Sequence, residues 1–217
     1  MNTYKTADLS GAEWISTGGA CCTPMIRKTL SFPKVTSAKI TIAGLGIFEI
    51  FINGKKVSDD LFLPLSTDFH ERPEKLYRGV PYDEKMRHRL YCPVYDITSY
   101  LKEGENTIAF LMGPGWYEMP NECYEYGHIK LCYVIDWQDE KGETHRTGSD
   151  GSHKWKESYV KKANLLKGEV HDYRDYDETW MQTPYDDSDW AAVCLEKAPE
   201  THFYIQDCPA DRVIRHI

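Results

Sequence analysis

The dipeptide Asn53-Gly54 sits between two strand-like runs, Ile47-Phe48-Glu49-Ile50-Phe51-Ile52 and Lys55-Lys56-Val57. Both residues tolerate positive φ, so Asn-Gly is the strongest short-range signal for a two-residue β-hairpin. Phe48, Ile50 and Ile52 then share one face, the expected core face. The run Lys39-Ile40-Thr41-Ile42-Ala43 alternates in the same period and is broken by Gly44 to Gly46. Thr107 to Met112 reads as an apolar strand stopped by Gly113-Pro114-Gly115. Ile129 to Trp137 puts Leu131, Tyr133, Ile135 and Trp137 on one face, and Glu143 to Thr147 is expected to return as its partner. Trp155 marks another short strand, and Trp190 with Val193 opens a last strand region before an extended tail. Asp96 or Thr98 can cap a single helical turn. Residues 58 to 94 read as an irregular surface excursion punctuated by Pro64, Pro73, Pro81 and Pro93. Many short strands with closely spaced turns predict an all-β sandwich or jelly roll with few short helical turns.

A chain of 217 residues can bury a core without metal or disulfide staples. Its net charge of -8 opposes phosphate backbones, so no nucleic-acid partner is expected. No apolar run approaches membrane-spanning length, and the first ten residues carry no secretory signal. Seven cysteines, an odd number with no C-x-x-C pair, suit free thiols in a reducing compartment, and the expected location is cytoplasmic. Aromatic residues reach 13%, a content that suits both β structure and carbohydrate stacking.

The ordered motifs resemble the N-terminal β-sandwich region of bacterial α-L-rhamnosidases. They begin with Ser37 to Gly46 running into Phe48-Glu49-Ile50-Phe51-Ile52-Asn53-Gly54. Leu63-Pro64, Thr67-Asp68-Phe69 and Tyr95-Asp96-Ile97-Thr98 with Leu101, Gly104 and Asn106 follow. Gly113-Pro114-Gly115-Trp116-Tyr117 and Gly168-Glu169-Val170-His171-Asp172-Tyr173-Arg174 come next, and Gln206 to Val213 closes the series. The resemblance implies a galactose-binding-like, jelly-roll β-sandwich over residues 1–207. It implies that 208–217 begins a linker or strand towards a following domain, so the chain reads as a fragment. It also implies a non-catalytic module of a glycoside hydrolase acting on terminal α-L-rhamnosides. Such a module supports the (α/α)6 catalytic barrel, its same-chain partner, and no successive long amphipathic helices here correspond to that barrel. The chain alone is expected to be inactive, with no catalytic residues. A stand-alone lectin-like protein is the alternative.

A sugar site on such a fold would combine an exposed ring with polar donors. Trp116, Tyr117, Asn121, Tyr124 and Tyr126 supply those types after a strand, and Glu169, Asp172 and Arg174 supply them in the later motif. A rhamnose-containing glycan is the expected ligand. Packing of Trp116 and Tyr117 against the sandwich edge, and a solvated acidic edge with an Arg174 salt bridge, are the competing readings. No cofactor is expected. Calcium stays open without mapped ligands, because Asp172-x-x-Asp175-x-Asp177 lacks the glycine and the glutamate of an EF-hand loop.

Overall fold

The computed structural model describes residues 4–69, 88–118 and 126–213, with the backbone of 76–77 and 80–81. In chain order the strands are β1 (Trp14–Ser16), β2 (Pro24–Phe32), β3 (Val35–Leu45), β4 (Ile47–Ile52), β5 (Lys55–Lys56), β6 (Leu76–Tyr77), β7 (Val80–Pro81), β8 (Arg89–Cys92) and β9 (Val94–Asp96). They continue as β10 (Gly104–Gly113), β11 (Lys130–Asp139), β12 (Thr144–Gly148), β13 (Lys154–Glu157), β14 (Val160–Asn164) and β15 (Gly168–His171). The last three are β16 (Ala191–Ala192), β17 (Cys194–Glu196) and β18 (His202–Ile205). Among the described residues three single 3-10 turns interrupt them, at Thr98–Tyr100, Tyr173–Asp175 and Thr179–Met181.

Two six-stranded sheets face each other. The first runs β17-β1-β11-β3-β9, with β12 also paired to β11; the second runs β16-β13-β2-β10-β4-β5. The expected all-β sandwich is therefore the fold. The expected core faces also hold: Phe48, Ile50 and Ile52 from the second sheet pack in one cluster with Leu131, Tyr133 and Ile135 from the first. Strand β8 runs through Pro93 into β9, whose backbone pairs with β3, and carries β18 in parallel on its other edge.

The hairpin signal reads correctly down to its backbone angles. Asn53 and Gly54 have φ of 51° and 79°, which glycine accepts without steric cost and asparagine tolerates. The Asn53 amide does more than turn the chain. It donates to Tyr100 O at 2.9 Å and to Asn106 Oδ1 at 2.8 Å, and its own oxygen accepts from Thr107 N. Asn106 is fully buried and gives its other bonds to Lys102 and Gly104. Two motif residues 53 positions apart thus lock the β4–β5 turn onto the start of β10. Asp96 Oδ1 accepts from Thr98 N at 3.0 Å, but the residue at the cap of the turn is Ile97 and no side chain caps it, so neither Asp96 nor Thr98 is the expected cap.

The outer face of the second sheet is also covered. Met25, Phe51, Ala109 and Leu111 point away from the sandwich core and pack under Trp180, Met181, Tyr185 and Trp190. Arg27 stands among them at 1% exposure. Its Nε donates to Trp180 O at 2.9 Å, its NH2 to Gln182 O at 3.2 Å and to Thr107 Oγ1 at 3.3 Å, and its NH1 is ion-paired with Asp187. Tyr185 lies 5.0 Å from the guanidinium.

A second buried polar group joins the sheets at the β12–β13 corner. His153 is fully buried; its Nδ1 lies 2.9 Å from Asp150 O and its Nε2 lies 3.0 Å from the Tyr133 hydroxyl. A carbonyl only accepts, so Nδ1 carries the hydrogen and Nε2 receives the tyrosine proton. Burial pushes His153 down to about 4, against the opposing pull of Asp150. Lys28, paired with Asp150 at 2.6 Å, faces the same corner.

Two outcomes follow from these buried groups. The unfolded His153 binds a proton near its ordinary 6.5 and the folded one only near 4. Stability is therefore full above pH 6.5 and falls by up to about 3 kcal/mol as pH drops to 4. Urea midpoints across this range test the slope, and a flat profile contradicts it. Arg27→Ala leaves the Trp180 and Gln182 carbonyls unmet and Asp187 with Lys154 alone, and lowers stability by about 3 kcal/mol or more. Arg174→Ala, at an exposed and solvent-screened pair, is expected to leave the urea midpoint unchanged.

Candidate binding cleft

At the end of the sandwich where β10 stops, a cleft of about 230 Å³ opens between the second sheet and the β14–β15 hairpin. Its floor is apolar: Ile47 and Phe48 of β4, Leu111 and Met112 of β10, and Val160 of β14. One wall is the loop Asp60-Leu61-Phe62; the other carries Tyr159, Glu169 and His171. The hairpin is fixed to the sheet by Thr23, whose hydroxyl donates to Val160 O at 2.5 Å and whose carbonyl accepts from Ser158 N. The loop is fixed by the C-terminal segment. Leu61 N donates to Asp211 O at 2.8 Å, and Arg212 Nε donates to Asp60 Oδ1 at 2.5 Å.

The rim is acidic but paired. Burial pushes the Asp60 carboxyl up, and Arg212, Ser58 and Tyr95 outweigh this and hold it below the usual carboxylate value. Glu49 is ion-paired with Lys56, and Glu169 Oε2 lies 2.7 Å from His171 Nε2. Phe62 is unusual: its φ is 55°, and its side chain is 54% exposed. A left-handed backbone at a residue with Cβ costs about 1–2 kcal/mol.

Beyond the hairpin, Tyr159, His171, Tyr173 and Tyr176 form a ring group with centroids 5.1–5.9 Å apart. Tyr173 and Tyr176 are exposed. The candidate sugar-contact residues Glu169, Asp172 and Arg174 lie on this hairpin and the turn after it, with Glu169 paired to His171 and Asp172 to Arg174. Arg174 Nε donates to Asp172 Oδ1 at 2.8 Å, and that bond holds the Asp172 carboxyl down at about 2. Asp175 pairs with Lys161 at 2.8 Å, and Asp177 accepts from Thr179 and Tyr185. Every carboxylate of the Asp172–Asp177 triplet therefore has a protein partner.

The expected loop platform is divided. Trp116 keeps an exposed ring, placed by Gly115, whose φ of 54° and closeness to Ile47 exclude a side chain. Tyr117 is buried, stacked on Tyr126 at 5.7 Å and edge-on to Phe69 at 5.4 Å. As a candidate sugar platform Tyr117 is corrected: a strand-end apolar ring completes the core edge instead. Tyr126 shares that packing and donates to Asp68 at 3.3 Å. Asn121 and Tyr124 lie outside the described residues. Phe62, Asp60 and Tyr159 carried no sequence signal of a site. Phe62 lay inside the stretch read as a surface excursion, and only its backbone angle singles it out.

One mixed donor group occurs among the described residues, at the β11–β12 turn: Asp139, Glu143 and His145 have ligand atoms within 4.8 Å of one another. Asp139 already accepts from two backbone N–H groups and from His145, so this is a built turn. Among the described residues six cysteines are free, and burial pushes Cys92 up to about 12 and Cys132 up to about 11. No described helix is long and apolar enough to cross a membrane.

The family described as the alpha-L-rhamnosidase N-terminal domain matches residues 33–78 and 80–215. The chain belongs to this family. An α-L-rhamnosidase of Streptomyces avermitilis is 27% identical over 172 residues, 76% of this chain and 15% of that protein. One from Formosa agariphila is 29% identical over 178 residues, 77% of this chain and 17% of its own length. The domain thus spans about one sixth of these curated relatives. Among solved structures, an α-L-rhamnosidase from Dictyoglumus thermophilum superposes with a TM-score of 0.79 at 25% identity, covering 94% of this chain and 23% of that one. A Pleurotus ostreatus lectin in complex with GalNAc shares the fold alone, with a TM-score of 0.53 at 14% identity, covering 89% of this chain and 45% of its own.

Replacing Phe62 tests whether its ring serves the fold. The exposed side chain gives up little contact, and asparagine tolerates the left-handed backbone. Phe62→Asn is expected to leave the domain's thermal stability unchanged or to raise it by up to about 1 kcal/mol. A loss above that size by calorimetry would give Phe62 a structural role.

Proposed function

We propose that this domain serves as the non-catalytic N-terminal module of an α-L-rhamnosidase whose other part hydrolyses terminal α-L-rhamnosidic linkages. The observation that carries the reading is coverage. The family match takes in almost the whole chain, while the chain takes in only 15–17% of the curated α-L-rhamnosidases. The free thiols fit a reducing, cytoplasmic setting for the protein.

A second role, contact with a rhamnose-containing glycan, is favoured by one specific observation. Tyr173 and Tyr176 present exposed rings beside the Asp172–Arg174 pair, and such rings accept the C–H face of a pyranose while the charged pair bonds its hydroxyls. Calcium enters this reading only as a bridge between sugar and protein.

On 4-nitrophenyl α-L-rhamnopyranoside, the full-length protein is expected to turn over with inversion, and the 217-residue chain to release no nitrophenol. Turnover by the short chain overturns the accessory role. Calorimetric titration of the chain with L-rhamnose, in calcium and then in chelator, tests the second role. Saturable heat at millimolar sugar supports it, heat lost with the chelator makes it calcium-dependent, and no heat removes it.

A further inference from the structure

We propose that the cleft beside Phe62 seats an apolar side chain from the catalytic part of the same polypeptide, an inference that rests on the accessory-module reading above. Three observations converge on this occupant. The first is the lining. The floor side chains Ile47, Phe48, Leu111, Met112 and Val160 carry no hydrogen-bonding group, and the polar side chains Asp60, Tyr159, Glu169 and His171 stand on the walls, away from that floor. An apolar cavity of about 150 Å³ holds a benzene-sized group, so a cleft of about 230 Å³ has room for one large side chain.

The second is Phe62. Its ring stands at the mouth of the cleft, half in solvent, on a backbone conformation that a phenylalanine resists. A partner closing over the ring would bury it, and aromatic side chains, phenylalanine included, are enriched in the buried centres of interfaces.

The third is position. Asp211 and Arg212 are bonded to Leu61 and Asp60, the residues next to Phe62. Polypeptide joined beyond this segment starts beside the cleft, and the curated relatives are about six times longer than the stretch they share with this chain. A tethered partner meets such a site at high effective concentration, so a single seated side chain is enough to hold the contact.

Hydrogen exchange read by mass spectrometry tests the assignment on the 217-residue chain and on the full-length protein. Peptides covering 60–63 and 159–171 are expected to exchange at least tenfold more slowly in the full-length protein, and the 139–144 turn equally in both. Phe62→Asn in the full-length protein is expected to restore exchange at the two cleft peptides to within twofold of the short chain. Its unfolding midpoint should stay unchanged, which separates a lost contact from a lost fold. Equal exchange in the two proteins overturns the proposal. So does protection of the short chain by L-rhamnose, which would make the occupant a glycan, or protection that grows with its concentration, which would make it a second copy. Rhamnoside turnover on the same sample separates the two claims. Turnover without protection rejects the docking alone, and absent turnover rejects the accessory-module reading.

Discussion

A guanidinium withdrawn from water must find an acceptor for its N–H groups, or the fold loses several kcal/mol. Arg27 meets that demand with Thr107 of its own sheet and with Trp180, Gln182 and Asp187 of a segment about 150 residues later. The segment Asp177–Trp190 is held over the second sheet largely by these bonds and by the rings of Trp180, Tyr185 and Trp190. Lys154 adds a second cation to Asp187, through both its carboxylate and its carbonyl. Without this anchor, Met25, Phe51 and Ala109 would face water. The sandwich therefore acquires a third layer at the cost of one deeply buried charge, and the charge fixes which segment forms the layer.

The cleft inherits its shape from that layer. The β14–β15 hairpin leads directly into the Arg27-bound segment, and Thr23 ties its other end to the start of β2. The opposite wall is tied by the Asp60–Arg212 pair, and Asp60 is further held by the Tyr95 hydroxyl. Both walls are thus set before any ligand arrives, which lowers the ordering cost of binding. The ring group on the hairpin faces outward and has no such walls. The two surfaces differ in kind: one is a fixed apolar recess, the other an exposed row of rings with charged neighbours.

Much of the sandwich was legible in the sequence because its signals are local. Asn53-Gly54 turns the chain at positive φ, and Phe48, Ile50 and Ile52 follow the period of two onto one face. The motif order, from Ser37 to Arg212, gave the family before any coordinate did. The covered outer face was not legible, because Met25, Phe51 and Ala109 alternate with core residues and make their strands look apolar without saying what lies above. The partner is distant in sequence and carries no strand pattern. Tyr117 shows the same limit from the other side. Gly113-Pro114-Gly115-Trp116-Tyr117 looks like a presented aromatic loop, yet the chain turns at Gly115, leaves Trp116 outside and drives Tyr117 under Phe69 and Tyr126.

Phe62 combines a left-handed backbone with a half-exposed side chain. Its backbone strain is of the order of one to two kcal/mol, and the half-exposed ring returns only part of its burial energy, since a fully buried phenylalanine contributes roughly 1.5–3 kcal/mol. Asp60 and Leu61, by contrast, are fully accounted for by Arg212, Tyr95 and the backbone of Asp211. The loop is therefore held rigidly by its neighbours while presenting one residue at a loss. Closing a surface over the ring would recover the missing burial without moving the loop, because the walls are already pinned. A sugar laid on the outer rings would not, since it leaves the recess and Phe62 in water. The strain, the apolar lining and the pinned walls all become economical in the same state, the one in which the cleft is filled by protein.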